Sequence, residues 1–435
     1  MKVLKFGGTS VGSPERMKEV VRLITDGEQK IVVLSAMSGT TNALVEIADY
    51  MRKGNIESAG SKINEMKRKY GKHLTELYTD DSLRARTEEI LSGIFNDIHS
   101  VGVQKFTDKS EKAILAQGEL MSTNMVTNYM IEQGYNVKLI NALDYMVLTP
   151  QGEPDMGQIK VNLEAILAEN PGYEIYITQG FICRDHEGDI ANLQRGGSDY
   201  TACIIGSVLR GEEIQIWTDI DGMHNNDPRF VEGTHSIRQL NFEEAAELAY
   251  FGAKILHPTC IQPAKYAGVP VRLLNTMDPS APGTLINNEM TEGHVKAVAA
   301  KDNITAIKIV SSRMLLASGF LSKLFQVFEK YRTSIDMITT SEVGVSLTID
   351  DTSRLMPILE ELKTLGTVEV DENMCIICVA GDLAYTDKGF VAQIAQAMHE
   401  IPMRMISYGG SNHNVSFLLS MENKIPALRA LQTLF

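Results

Sequence analysis

Three observations predict an α/β fold for this 435-residue chain, with a mostly parallel sheet sandwiched by helices and then two ferredoxin-like α+β modules. Short apolar runs rich in β-branched residues alternate with helical stretches, the pattern of a parallel sheet. Glycine pairs stand twice where a strand hands over to a helix, at Gly7-Gly8 and Gly196-Gly197. Beyond Gly293 the pattern changes to short strands and helices that repeat.

The bulk properties narrow the function. A chain this long exceeds one ordinary core, so two or three domains are expected. With 55 Asp plus Glu against 41 Lys plus Arg, the net charge of -14 argues against a nucleic-acid or anionic-membrane partner. No apolar run approaches the roughly 20 residues of a membrane span, and Met1 to Phe6 lacks a signal-peptide core, so a cytosolic protein is expected. Five scattered cysteines do not form a disulfide framework. Cys375 and Cys378 would point to opposite faces of one apolar strand, which favours packing over metal or redox chemistry.

Taking the elements in order, Val3 to Phe6 can form a short edge of strand, followed by the turn Gly7-Gly8. Lys5 and the glycine amides together make a phosphate site, although a plain tight turn fits the same residues. Ser13 can cap a helix beginning at Pro14, whose dipole would add to an anion site. Ser13-Pro14 replaces the Lys-Ser/Thr of a Walker A loop, so this is not one. Ile31 to Leu34 reads as a strand covered on both faces, and the polar loop after it lies where open α/β sheets bind ligands. Thr41 could simply cap the next helix.

Residues 51–112 are rich in Lys, Arg and Glu at helical spacing and read as solvated helices. The helix Glu111 to Gln133 is apolar almost all round, so it should be buried, and Glu119 on it needs a cation unless it reaches solvent. Val137 to Ile140 and Ile175 to Thr178 are further strands, with a helix from about Gln158 to Ala168 between them. Arg195 and Ser198 then flank the second Gly-Gly turn. Arg supplies a planar fork suited to a carboxylate, while capping by Ser198 or Asp199 explains part of the string. Ile214 to Asp219 is a strand entering a Gly/Asp/Asn/Pro loop, Phe242 to Ala253 a helix and Val269 to Leu273 a strand. Asp278 to Glu292 carries prolines and glycines and is the best candidate linker.

After it, Gly319-Phe320-Leu321 recurs 70 positions on as Gly389-Phe390-Val391, and Val345-Ser346-Leu347 as Val415-Ser416-Phe417. Met337-Ile338-Thr339 answers Met405-Ile406-Ser407. Ordered matches at nearly one offset mark a duplicated module, each copy reading strand, helix, strand, strand, helix, strand.

Lys5-Phe6-Gly7-Gly8-Thr9-Ser10, Gly118-Glu119-Leu120-Met121-Ser122, Arg195-Gly196-Gly197-Ser198-Asp199, Thr218-Asp219 with the loop to Arg229, and Gly252 to Pro258 closely resemble, in order, the motifs of aspartate kinases. These are amino-acid-kinase family members, and the repeat resembles their paired ACT domains. The similarity is greatest to the monofunctional lysine-sensitive type. It implies an ATP- and Mg-dependent phosphorylation of the L-aspartate side-chain carboxylate, the first step toward lysine, threonine and methionine. Lys5 and Asp199 would be catalytic. Lys5, Gly7, Gly8, Ser35, Thr218, Asp219, His224, Arg229, Lys254 and Ile255 would bind ATP, and Thr41, Glu119, Arg195 and Ser198 aspartate. His224 departs from the Tyr or Phe commoner at its position. No metal ligands are expected from the protein itself.

The resemblance further implies a catalytic domain over 1–293 and ACT modules over 294–370 and 371–435, with the two modules interleaved in the family and the cut only nominal. An effector site is expected at Met314, Gly319, Phe320, Leu321, Ser334, Asp336 and Thr340, where Asp336, at a strand start facing the Gly319-Phe320 turn, would receive the ammonium of lysine. Leu316 and Ala317 depart from more polar residues of some relatives, which leaves threonine as the alternative effector. The second copy has Arg404 and lacks the acid, so it would serve homodimer contacts. A glutamate or carbamate kinase would lack the repeat, whereas a silent amino-acid sensor would not need Lys5, Asp199 and Lys254 together. No fused homoserine dehydrogenase domain is expected.

Overall fold

The computed structural model describes residues 1–102, 105–193, 196–252, 256–290, 295–314 and 318–435. They form two compact units, one of Met1–Gly222 with Leu256–Asn288, the other of Met223–Ile255 with Glu289–Phe435.

In the first unit the strands are β1 (Lys2–Phe6), β2 (Lys30–Leu34), β3 (Val137–Leu139), β4 (Ile175–Gln179), a hairpin of β5 (Ile182–Arg184) and β6 (Ile190–Asn192), β7 (Ile214–Thr218), β8 (Val271–Asn275) and β9 (Thr284–Asn287). The main sheet runs β3-β4-β2-β1-β7-β8-β9 within this unit. All pairs to β8 are parallel, and β9 is antiparallel to β8. Two expectations change here. β1 is central rather than an edge, since it pairs in parallel with β2 on one side and β7 on the other. The Pro/Gly-rich stretch from Asp278 is not a linker throughout, since Thr284–Asn287 form a strand paired with β8.

Register puts Phe6 beside Leu34 and Trp217, and Leu34 beside Gln179, so four strands end at one level around the middle of the sheet. That is where open α/β sheets hold ligands. The helix Asp108–Glu132 is buried along most of its length, as its all-round apolar pattern requires. The helices Ile56–Leu77 and Asp81–Val101 are not simply solvated. Each buries one face, and Tyr70 meets Phe95 edge to face at 5.9 Å inside the same core as β1 and β2.

The second unit contains β10 (Val295–Val310), β11 (Ile338–Thr340), β12 (Gly344–Ile349), β13 (Thr367–Gly381), β14 (Met405–Ser407) and β15 (Asn414–Ser420), ordered β11-β12-β10-β13-β15-β14. The order is symmetric about two long antiparallel strands, which is the sequence repeat in three dimensions. Gly319 and Gly389 both cap helices with positive φ, at 87° and 97°. Asn303 and Asn373, also 70 positions apart, both take left-handed φ near 60°, a conformation asparagine tolerates. The register of β10 on β13 shifts beside Asn303. The first half of β10 therefore pairs with the end of β13 and completes the second module, while its second half pairs with β12 and belongs to the first. The nominal cut at 370/371 falls inside β13. Separate apolar clusters line the modules, Phe320, Leu324 and Ile358 in one, Phe390, Ile394, Leu428 and Leu431 in the other. Cys375 and Cys378 are buried within β13, and burial raises both thiols above their ordinary pKa.

Candidate active site

Lys5 lies one residue before the end of the central strand, and its ammonium reaches the Asp199 carboxylate at 2.7 Å. Both side chains are only 12% exposed. Asp199 is placed by the helix Gly197–Val208, which starts at Gly196 with φ 74°. Ser198 and Asp199 therefore sit in the first turn, and the capping position expected of them belongs to glycine. Gly8 approaches the loop after β2 so closely that a Cβ would stand 2.8 Å from the Ala36 carbonyl oxygen. Ser38 N–H donates to the Gly8 carbonyl at 3.1 Å, and Ser35 N–H to that of Phe6 at 3.1 Å. The helix Thr40–Arg52 begins after Gly39, with φ 80°, so Thr41 is released from capping and lines the site.

Glu119 is 4% exposed. Its Oε1 accepts from the Ala36 N–H at 3.2 Å, while Oε2 has no hydrogen-bond partner among the described residues. Burial pushes its pKa up to about 8, against the opposing pull of the Ala36 N–H. The same helix meets the loop through Gly118, where a Cβ would stand 2.8 Å from the Ala36 Cβ, and through Ser122 Oγ, which donates to the Ser35 carbonyl at 2.8 Å.

These groups enclose a cavity of about 400 Å³ lined by Lys5, Gly8, Ser35, Thr41, Glu119, Ser198 and Asp199 among others. Seven of the expected site residues thus come together from four separate stretches of the first unit. Sequence reasoning missed Ser38, Asn42 and Phe181, which also line it. Phe181 lies in the short turn between β4 and β5 and has a left-handed φ of 66°, a signal that residue type alone does not carry. Gly180 before it is packed on Ser198, whose Oγ lies 2.5 Å from where a Cβ would be.

Thr218 ends β7 and its Oγ1 accepts from Ile220 N–H at 3.1 Å; neither it nor Asp219 nor Gly7 lines the cavity. His224 and Arg229 belong to the second unit. There His224 Nδ1 lies 3.4 Å from Thr234 Oγ1, and the Arg229 fork holds Asp227 at 2.6 and 2.9 Å. Arg195, Lys254 and Ile255 lie outside the described residues.

Of the expected effector residues, Gly319 and buried Phe320 start a helix, while Leu321, Ser334 and Thr340 are exposed and Met314 is half-buried. Asp336 differs from expectation, both in preceding β11 and in the partners it meets. Its side chain is 1% exposed, and its Oδ1 already takes Lys301 Nζ at 2.7 Å and the Tyr250 hydroxyl at 2.6 Å. Lys301 also reaches Asp350 at 2.9 Å and lies 4.4 Å above the Tyr250 ring. Only Asp336 Oδ2 has no hydrogen-bond partner among the described residues. The carboxylates of half-buried Asp185 and exposed Glu187 and Asp189 converge closely enough for a metal, yet Lys109 pairs with two of them.

The amino acid kinase family model matches residues 1–275 and an ACT domain model residues 377–435. The chain is 32% identical to Aspartokinase 2, chloroplastic, of Arabidopsis thaliana, over 100% of this chain and 84% of the relative. Among solved structures it resembles Escherichia coli aspartokinase III in complex with aspartate and ADP (R-state), at TM-score 0.85 and 32% identity, covering 100% of this chain and 99% of that one. The same enzyme with lysine and aspartate (T-state) superposes at TM-score 0.84 with 31% identity and the same coverage. No helix among the described residues is long and apolar enough to cross a membrane.

Proposed function

We infer the mechanism from one premise: this chain belongs to the aspartokinases of the amino acid kinase family, and it phosphorylates the side-chain carboxylate of L-aspartate with ATP. A carboxylate oxygen of aspartate attacks the γ-phosphorus. The new O–P bond forms as the bond to the leaving ADP oxygen breaks, giving 4-phospho-L-aspartate and ADP. With an ordinary pKa near 4 the nucleophile is already ionised, so no general base is needed. Positioning and charge neutralisation are what remain for the protein to supply.

Lys5 neutralises charge on the transferring phosphoryl group, with the Gly7-Gly8 turn bringing the backbone close to it. Asp199 holds that ammonium in place, and the 2.7 Å ion pair supports the assignment. Bound with ATP, Mg²⁺ would supply further neutralising charge, and Asp199, which with Glu119 provides the acids of the cavity lining, would orient its water shell. Arg195, Ser198 and Thr41 hold the aspartate carboxylate end. Thr218, Asp219, His224, Arg229, Lys254 and Ile255 take the nucleotide.

The open Oε2 of Glu119 is the single observation that carries the substrate assignment. A buried carboxylate with a raised pKa and one oxygen unpartnered is a receiver for a cation, and the α-ammonium of aspartate supplies one. Lysine is assigned as feedback inhibitor, supported by the lysine complex of the E. coli relative and by the open Oδ2 of Asp336. A homodimer through the ACT modules, in the cytoplasm, completes the reading. A hydroxamate assay with ATP tests it: aspartate gives product and glutamate does not. Loss of discrimination, or no product from aspartate, contradicts it.

A further inference from the structure

The loop bearing His224 and Arg229 is built into the second unit, and the residue that fixes it is none of those expected to touch nucleotide. The loop is a hairpin, closed by Asn225 N–H to the His235 carbonyl at 3.0 Å and Ile237 N–H to the Met223 carbonyl at 2.7 Å. Its backbone is pinned to β10, where Val298 N–H donates to the Asn225 carbonyl at 2.8 Å. Val231 joins the apolar cluster containing Leu428 and Leu431.

Asn226 stands between the two expected contacts and is 2% exposed, whereas the Arg229 side chain is 68% exposed. Its Oδ1 accepts from Asp227 N–H at 2.9 Å. Its Nδ2 donates to the Leu428 carbonyl at 2.8 Å and to Gln432 Oε1 at 3.1 Å. Leu428 belongs to the last turn of the helix Lys424–Leu431, and its carbonyl, which also accepts a backbone N–H at the helix C-cap, is shared with the Asn226 amide. Around it, Lys424 pairs with Asp302 at 2.7 Å and lies 4.7 Å over the Phe230 ring, and Arg429 Nε reaches the Phe230 carbonyl at 3.4 Å. An exposed cation is thus rooted by a buried amide in the C-terminal helix.

We propose that Asn226 is a positioning residue for nucleotide binding, its side-chain amide fixing the His224–Arg229 hairpin to the C-terminal helix of the second regulatory module. This rests on the reading of His224 and Arg229 as nucleotide contacts. A small displacement of such contacts is expensive, because their alignment with the phosphates is what the hairpin supplies. It also gives the second module, which lacks an effector acid, a direct mechanical tie to the nucleotide loop.

The test is Asn226→Asp in the full-length enzyme, which keeps the shape and the bond from Asp227 N–H but turns a donor into an acceptor facing two acceptors. The KM for ATP is expected to rise about tenfold, with kcat and the aspartate KM within about twofold. Adding Gln432→Lys, which offers a cation to the new carboxylate, restores the ATP KM. Equal changes in both KM values, no change, or no rescue overturns the proposal. Should Asn226→Asp fail to fold, Gln432→Ala, which removes one of the two acceptors, raises the ATP KM two- to threefold, by a weaker hydrogen-bond loss; an unchanged value overturns the proposal. Arg229→Ala separates the two levels. If it leaves the ATP KM unchanged, the nucleotide reading of the loop falls and this inference with it. If it raises the ATP KM while Asn226→Asp does not, only the inference falls.

Discussion

Glu119 and Asp336 are both carboxylates withdrawn from water, one in each unit, and they differ in what neutralises them. Glu119 has one backbone N–H on Oε1 and, among the described residues, neither a partner on Oε2 nor a pairing cation, and burial raises its pKa. Asp336 has the Lys301 ammonium and the Tyr250 hydroxyl on a single oxygen. A vacant acid demands a cation from outside, and a satisfied acid admits one only by sharing or displacement. The first arrangement suits a substrate that must always bind. The second suits an effector whose binding competes with a contact the protein already has, and so registers only above a threshold.

The largest effect is expected at the cation of the catalytic unit. Lys5→Ala should lower kcat ~10²-fold or more with the fold intact, because it removes charge needed in the transition state. Initial rates alongside circular dichroism check this; near wild-type turnover in a folded variant ends the catalytic role of Lys5. The next effect sharpens the comparison in the regulatory unit. Lys301→Met should lower the lysine concentration for half-inhibition about tenfold, by removing the resident ammonium and its repulsion of the effector's. Asp336→Ala should abolish inhibition. Inhibition curves that Lys301→Met leaves in place, or a response to threonine alone, would reject lysine at Asp336. Smaller is Gly180→Ala, whose Cβ must push Ser198 aside; the aspartate KM should rise several-fold with that for ATP unchanged.

The Glu119 side of the comparison also has a pH signature. Its pKa in the folded, substrate-free protein is raised to about 8 from an ordinary 4.5, so the folded state holds the extra proton. The associated stability is fully present below about pH 4.5 and is lost as pH rises through about 8. Thermal melts of Glu119→Gln, which removes that titration, should show less loss of Tm between pH 6 and about pH 9 than wild type. Parallel melts would show that Glu119 does not carry the shift.

Much of this was legible in the sequence because it is local. The period of the helix 108–132 buries Glu119, the apolar runs give the parallel strands, and the 70-residue offset gives the paired modules. Pairings between distant residues were not legible. Lys301 is an ordinary surface-type residue in sequence, and only the folded sheet, where it precedes the register shift in β10, brings it to Asp336 and Asp350. Thr284–Asn287 was hidden inside a Pro/Gly-rich stretch because sheet pairing, not propensity, makes it a strand. Asn226 gave no signal at all, since its partner is a backbone carbonyl 202 positions away.

The account stands on Glu119 as the receiver of the substrate ammonium, and the KM pair of Glu119→Gln tests that most directly. Glutamine keeps the shape and the contact with Ala36 N–H but cannot carry the charge. The aspartate KM should rise roughly 10- to 100-fold while the ATP KM stays within about twofold. An unchanged aspartate KM, or equal rises for both substrates, would contradict the assignment.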